Sequence, residues 1–518
     1  MLFNSIIFIL VFLPVTVLTY YSLILKDKNE GATIFLISAS LFFYAWWDIK
    51  YIFLIVFSVV VNYFFGYYIS NSYKKSKNTK LILALGIIFN LCLLGFFKYT
   101  DLLIFTINSV TDSQFNYWNI ILPLAISFFT FQQIAYLVDT SQGKVNEHGF
   151  IKYSLFVTFF PQLIAGPIVH HSEMMPQFHA LKRLNKLWEN IAVGITIFVI
   201  GLFKKVILAE QMSYWADKTF AASSMGVEIG MLDAWTGLLC FSFQIYFDFS
   251  GYTDMATGAA RLFGIKLPIN FFSPYRASSI INFWRCWHIT LSRFLRDYLY
   301  FPLGGNKSGT FKRLRNIMIV MLLGGLWHGA GYNFIIWGGL HGLYLIINHS
   351  WRYFKNINKI NNNIYNWFGK ILTFISVSYA WVYFRSDSLE SAINFSNSLF
   401  GLNGVILPTH YSDLFNGFLK NLEQVGVEFG ATITYGGGMQ LIWLAGMFCF
   451  IWLLPNTQEI MHKFEPTINF KGMKITKSSS LITWIPNALT ALIIGCIAIS
   501  LVILIIQGQP GEFIYFQF

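Results

Sequence analysis

The sequence is poor in charge. Only 12% of its 518 residues are Asp, Glu, Lys or Arg, against 55% hydrophobic residues. A soluble chain carries about 25% charged residues, and half that density cannot coat a globule of this size with polar surface. That excludes a soluble fold. Cysteine is scarce as well: Cys92, Cys240, Cys286, Cys449 and Cys496 form no CxxC pair and no metal-type spacing. No disulfide framework or zinc site is expected. All five lie in or beside apolar stretches and read as small buried hydrophobes. The apolar segment Met1–Leu25 lacks an early Lys or Arg and a small-residue cleavage site. It reads as a retained span and not as a signal peptide. Internal repeats and low-complexity tracts are lacking too.

What is abundant is apolar and aromatic. Aromatic residues make up 19%, led by 54 Phe and 27 Tyr; Tyr favours bilayer interfaces. Candidate spans fall at 2–25, 32–48, 51–70, 81–97, 118–138, 151–169, 188–209, 232–250, 316–347, 366–385, 436–455 and 481–507. Several are broken by Pro or Gly, as re-entrant segments are, so about nine to twelve true spans are expected. The net charge of +12 fits basic cytoplasmic loops better than nucleic-acid binding. Lys26, Lys28, Lys74, Lys75, Lys77 and Lys80 place two loops in the cytoplasm and the N-terminus outside. The stretch 98–117, with Asp101 and Asp112 against Lys98, falls outside; Lys182, Arg183, Lys186 and the run Lys307–Arg315 fall inside. A polar stretch at 386–435 reads as an extramembrane loop, and 456–480 as a cytoplasmic connection.

Between 244 and 345, polar and ionisable residues interrupt apolar sequence. Such residues are costly in lipid and turn toward a bundle interior or wet cavity, which makes this region the expected site. Gly324–Ala330, GGLWHGA, sets His328 beside Trp327, and His341 follows in WGGLHG. A neutral imidazole suits a general base acting on a hydroxyl. The glycines admit close helix packing or a substrate. The plainer alternative is a histidine hydrogen-bonding across helices. The two histidines are thirteen residues apart, and no nearby Cys or carboxylate completes a metal set. Ser273–Gly305 interleaves Arg276, Arg285, Arg293 and Arg296 with Phe283, Trp284, Trp287, Tyr298 and Tyr300. As one helix it would set Arg285 near His288 and Arg293 near Asp297. It is either a plain interfacial helix or a cytoplasmic mouth for a phosphate-rich coenzyme. Gln244 and Asp248 share a helical face; Asp248 and Asp254 need partners, which Arg285 or Arg293 would supply, most simply as structural ion pairs. Phe160–Pro167 carries two prolines and a glycine, a broken helix that shapes a cavity, with His170 and His171 at its edge.

Together these segments resemble the membrane-bound O-acyltransferases, in the bacterial branch of alginate and peptidoglycan O-acetylation. The matching residues are Phe42 and Tyr44–Trp47, Leu122-Pro123 with Ile126–Phe128, Leu163–Pro167, Tyr246–Asp254, Asn282–Gly305, Gly324–Ala330 and the terminal Phe513–Phe518. The resemblance implies an all-α polytopic membrane protein, a bundle of about 11 helices with re-entrant segments and a transmembrane tunnel. One domain would span 1–518, with its catalytic core at about 120–345. It implies catalytic roles for His328 and His288. Acetyl-CoA would be the cytoplasmic donor, with no permanently bound cofactor and no metal. Trp284, Arg285, Arg293 and Arg296 are the candidate donor contacts. Asp248, Asp254, Gln244, Trp327, His341 and Asn282 are candidate tunnel or structural residues. The acceptor implied is an extracytoplasmic hydroxyl of a polysaccharide such as alginate or peptidoglycan, served by a periplasmic partner, at a bacterial inner membrane. Gln132-Gln133 departs from the branch and leaves the acceptor open. The alternative in another class is a transporter or flippase of an anionic or lipid-linked solute, which shares broken helices and buried ionisable groups. A structural subunit of a secretion complex is a third.

Overall fold

Five helices among the described residues are long and apolar enough to cross a bilayer: Phe8–Leu25, Lys50–Ser72, Thr79–Thr111, Leu187–Ser224 and Ala488–Gln507. Between them run Met231–Leu262, Thr310–His328, Tyr332–Lys355 and Asn363–Arg385, comparable in length but carrying polar groups. The chain is therefore an all-α, multi-pass membrane protein. This computed structural model describes residues 1–518 apart from 73–77, 146–148, 179–185, 308, 356–362, 410–422, 424–425, 434–437, 471–481, 509–510 and 515–518. Lys74, Lys75, Lys77, Lys182, Arg183, the 471–480 part of the cytoplasmic connection and Tyr515–Phe518 lie outside the described residues. Within 386–435 the chain forms the helix Leu389–Leu399 and a parallel pair of strands, Val405–Pro408 and Val427–Gly430.

Lipid tails are as apolar as leucine, so helices in a bilayer associate through close packing and buried polar contacts. The pairing of Leu187–Phe203 with Met231–Leu262 shows both. Gly194 and Gly201 of the first helix meet Gly258 and Gly251 of the second, reciprocally. A Cβ on Gly201 would stand 2.6 Å from the Gly251 carbonyl, and one on Gly258 2.6 Å from that of Gly194. Beyond Phe203 the helix widens into a π turn, Lys204–Ala209, which rolls two lysines onto the central helix. Lys204 Nζ lies 2.7 Å from Asp254 Oδ2, and Lys205 Nζ 2.7 Å from Asp248 Oδ1. The expected partners, Arg285 and Arg293, are not used. The glycine contacts bring the backbones so close that the lysines following Gly201 reach the aspartates first.

Several boundaries differ from the sequence expectation. The stretch 98–117 is helical as far as Thr111, within the helix Asn78–Thr111, and its Lys98 is buried. The window 118–138 becomes helical only at Ile126–Ser141. The window 316–347 is two helices, broken at Gly329–Gly331. The window 151–169 is broken as expected, into Phe150–Thr158 and Phe160–Leu163, since Pro161 has no N–H to continue the ladder. Of the cysteines only Cys240 is buried; Cys92, Cys449 and Cys496 are exposed on apolar helices. Hydropathy cannot tell a lipid-facing surface from a protein interior, because both are apolar.

Candidate active site

The helix Thr310–His328 stops at its histidine, and Gly329 continues in extended backbone. Glycine is required on both sides of the break. A Cβ on Gly325 would run into the Phe334 carbonyl, and one on Gly329 into the Phe334 ring. The last carbonyls of a helix have no partner within it, and here a neighbouring helix supplies the donors. Tyr99 Oη donates to Leu326 O at 2.8 Å, and Lys98 Nζ to Trp327 O at 2.6 Å and His328 O at 2.9 Å. The Lys98 amine donors also meet the negative end of the helix dipole. The His328 ring is enclosed by Trp327, Trp337 and Phe384, with centroids at 4.8, 5.0 and 5.3 Å. Its residue lines a cavity of about 450 Å³ together with Lys98, Trp46, Trp47, Ser127 and Glu512.

The segment Trp284-Arg285-Cys286-Trp287-His288 is not one helix. Ile280–Trp284 and Ile289–Leu295 are separate, and His288 between them is left-handed at φ 41 and ψ 55. Arg285 and His288 therefore do not share a helical face. The reason is Asn270, whose Oδ1 accepts from Thr290 N at 3.2 Å and Thr290 Oγ1 at 2.9 Å and lies 3.1 Å from His288 Nδ1. A side-chain amide that satisfies these donors competes with the helical ladder. His288 is fully buried, its ring edge-on to Phe249 at 4.8 Å and 6.3 Å from that of Trp327. Nε2 of His288 has no hydrogen-bond partner among the described residues.

A second cavity, of about 660 Å³, is lined by Trp284, Arg285, Arg293, Arg296, Tyr300 and His349. It gathers all four candidate donor contacts. Arg293 is held by Glu173 through two hydrogen bonds of 2.6 and 3.0 Å, while Arg296 takes Asp297 at 2.7 and 3.1 Å. The Arg293–Asp297 pair does not form, because a wide turn at Arg296–Tyr300 changes the spacing. Burial alone would push the Glu173 carboxyl up, but the Arg293 hydrogen bonds and charge outweigh it and hold it below the usual carboxylate range. Arg276 is diverted from the cavity: it caps Met439–Leu453, Nε donating to Ile451 O at 2.6 Å and Nη2 to Leu454 O.

In place of one continuous tunnel, the described residues line two cavities with no lining residue in common. An aromatic stack starts from Trp327 of the first: Phe131 on Trp327 at 5.1 Å, and Phe294, between the second cavity's Arg293 and Leu295, on Phe131 at 4.1 Å. His341 lies between Trp284 and Trp337, at 5.1 and 4.8 Å, and neither nitrogen has a partner among the described residues. Gln244 is buried on the central helix, and Asn282 donates its backbone N–H to Ser279 Oγ at 3.3 Å. Neither lines either of these two cavities, nor do Asp248 and Asp254. No group of three metal-binding side chains occurs among the described residues.

Sequence reasoning missed Lys98, Glu173, Lys204, Lys205 and Asn270. Lys204 and Lys205 were legible as two ionisable residues inside an apolar helix, opposite Asp248 and Asp254 in need of partners. Asn270 and Glu173 gave no signal, because they act across breaks in the chain.

A multi-pass helical membrane protein with a buried, cavity-lining histidine at a glycine-bracketed helix end defines the class. The chain belongs to the membrane-bound O-acyltransferase family, whose model matches residues 140–391. It is 46% identical over 453 residues to a peptidoglycan O-acetyltransferase of Helicobacter pylori, covering 82% of this chain and 84% of that one. It is 38% identical over 408 residues to a probable alginate O-acetylase AlgI of Pseudomonas aeruginosa, covering 77% and 75%. A teichoic acid D-alanyltransferase of Streptococcus thermophilus is 28% identical over 269 residues, 49% and 62% of the two chains. This protein is a membrane-bound O-acyltransferase.

Proposed function

We propose that this enzyme takes an acetyl group from cytoplasmic acetyl-CoA and delivers it to a hydroxyl on the outer side of a bacterial inner membrane, for O-acetylation of peptidoglycan or another envelope polysaccharide. The observation that carries the reading is the division of the site. His328 lines one cavity, beside the N-terminal residues Met1 and Leu2, and the arginines line the other. The positive-inside rule puts the arginine-lined cavity in the cytoplasm and the N-terminus outside. The guanidinium groups suit the phosphates of the coenzyme. His328 takes the proton of the acceptor hydroxyl as its oxygen attacks the thioester carbonyl. The C–O bond forms, the C–S bond breaks, and the proton returns to the departing thiolate as free CoA. The aromatic stack of Phe294, Phe131 and Trp327 keeps bulk water from the thioester. A periplasmic partner completes delivery to the polymer.

The test is release of CoA and transfer of label from acetyl-CoA by the full chain in nanodiscs, with muropeptide or oligosaccharide acceptors added. His328→Ala is expected to abolish both while the protein melts as wild type does. Solute movement without acetyl consumption would replace the reading with a transporter.

A further inference from the structure

A third cavity, of about 520 Å³, shares no lining residue with the two of the active site; it is lined by Lys186, Arg261, Lys266 and Lys463 with Glu189 and Glu465. Four cations stand there against two carboxylates. Arg261, at the end of the central helix, is only 3% exposed. Its Nη2 makes only long contacts, 3.4 Å to Glu189 Oε1 and 3.4 Å to Phe464 O, and its Nε has no partner among the described residues. A guanidinium buried this deeply normally has its donors satisfied.

The walls are fixed by specific bonds. Gln177 clamps the backbone of Lys266 from both sides, at 2.9 and 3.0 Å. Ile468 N donates to Leu267 O at 2.9 Å, fastening the segment after Glu465 to the segment after Lys266. A smaller cavity of about 340 Å³ shares Lys266 and Glu465 with this one, and Asn469 with the arginine-lined cavity. Asn469 Nδ2 in turn reaches Glu173, the partner of Arg293, at 3.4 Å. The three cavities thus form one track leading away from the arginines.

We infer that the Arg261 cavity is a phosphate-recognition site at the far end of this track. It takes a phosphate monoester or diester between Arg261, Lys266 and Lys463. This rests on the proposed donor reading in one respect: a coenzyme whose thioester arm occupies the arginine-lined cavity carries its phosphorylated nucleotide along the track. An anionic lipid headgroup offers the same chemistry.

The experiment uses the full chain in nanodiscs, wild type beside Arg261→Gln and Lys463→Gln. Lys463 is exposed, so its variant folds even if the Arg261 variant does not. The probes are acetyl-CoA, its 3′-dephospho analogue, adenosine 3′,5′-bisphosphate, and nanodiscs with or without phosphatidylglycerol. Loss of one charge-assisted hydrogen bond is expected to cost roughly tenfold in affinity. KM for acetyl-CoA should rise by that factor and KM for the dephospho analogue should not, so the preference between them collapses. A lost preference for phosphatidylglycerol, with the coenzyme ratio intact, assigns the site to a lipid headgroup instead. Unchanged coenzyme selectivity, bisphosphate binding and lipid preference in both variants overturns the proposal. Bisphosphate binding that the variants abolish, in a protein that consumes no acetyl-CoA, leaves the site standing and removes the donor reading alone.

Discussion

Lys98 donates to the main-chain carbonyl of His328 at 2.9 Å, from a helix 230 residues away in sequence. Lys98 holds the end of the helix that presents the imidazole, and it lines the same cavity. Replacing it with methionine strands the Trp327 and His328 carbonyls, at a cost of about 1–3 kcal/mol for each buried group left unpaired. Lys98→Met is expected to lower the melting temperature and to cut acetyl transfer by roughly ten- to a hundredfold, mainly in kcat, since misplacing the proposed base costs rate. Lys98→Arg, which keeps N–H donors, should recover part of it. Wild-type melting and turnover in Lys98→Met would show that the cap is idle.

The glycine contacts between Leu187–Phe203 and the central helix carry a second expectation. A Cβ on Gly258 would come within 2.5 Å of the Phe198 amide nitrogen, and backbone cannot step aside as a side chain can. Gly258→Ala should destabilise by about 1–3 kcal/mol, the usual range for overpacking. Gly446→Ala is the control, since nothing lies within 4 Å of its added Cβ. Thermal unfolding of both in one detergent decides it; equal melting would mean that the helices can slide apart without loss.

The pair Lys205–Asp248 is buried at both ends and anchors the C-terminal segment. Lys205 Nζ donates to Glu512 O at 2.9 Å, and Asp248 Oδ2 accepts from Ile514 N at 2.8 Å. Removing one partner leaves a buried charge uncompensated, a loss of about 3–5 kcal/mol. Lys205→Met and Asp248→Leu should each destabilise strongly. The double variant Lys205→Met/Asp248→Leu should recover much of the loss, because no charge is then stranded. An additive double-mutant cycle in chemical denaturation would contradict the coupling.

Asn270 holds His288 in its left-handed conformation. Asn270→Leu removes the acceptor of Thr290 N and Oγ1 and the neighbour of His288 Nδ1. The expected outcome is a protein that still inserts in the membrane and melts lower by a few degrees. Its transfer rate should fall about tenfold, the order reached when a positioning contact is lost. Asn270→Asp, which keeps the acceptor, should melt closer to wild type. If both variants lose equally, the geometry of the acceptor does not matter.

The sequence by itself determined the solvent. Its shortage of charge and its long apolar runs require a membrane fold, and the glycine-flanked His328 marks the helix end around which the cavity is built. It also brought Trp284, Arg285, Arg293 and Arg296 onto one short segment, and these do line one cavity. Periodicity failed where a side chain competes with the helix. Asn270 breaks the helix at His288, and the wide turns at Lys204–Ala209 and Arg296–Tyr300 shift the spacing on which pairings were read. Tertiary structure alone decided which charges meet. Lys204 and Lys205 reach Asp254 and Asp248 because four glycines let two backbones touch. Lys98 reaches His328 because the helix Asn78–Thr111 continues through it and buries it instead of ending before it. A buried charge goes to the nearest partner the packing offers, and which partner is nearest depends on helix crossings that a linear pattern does not contain.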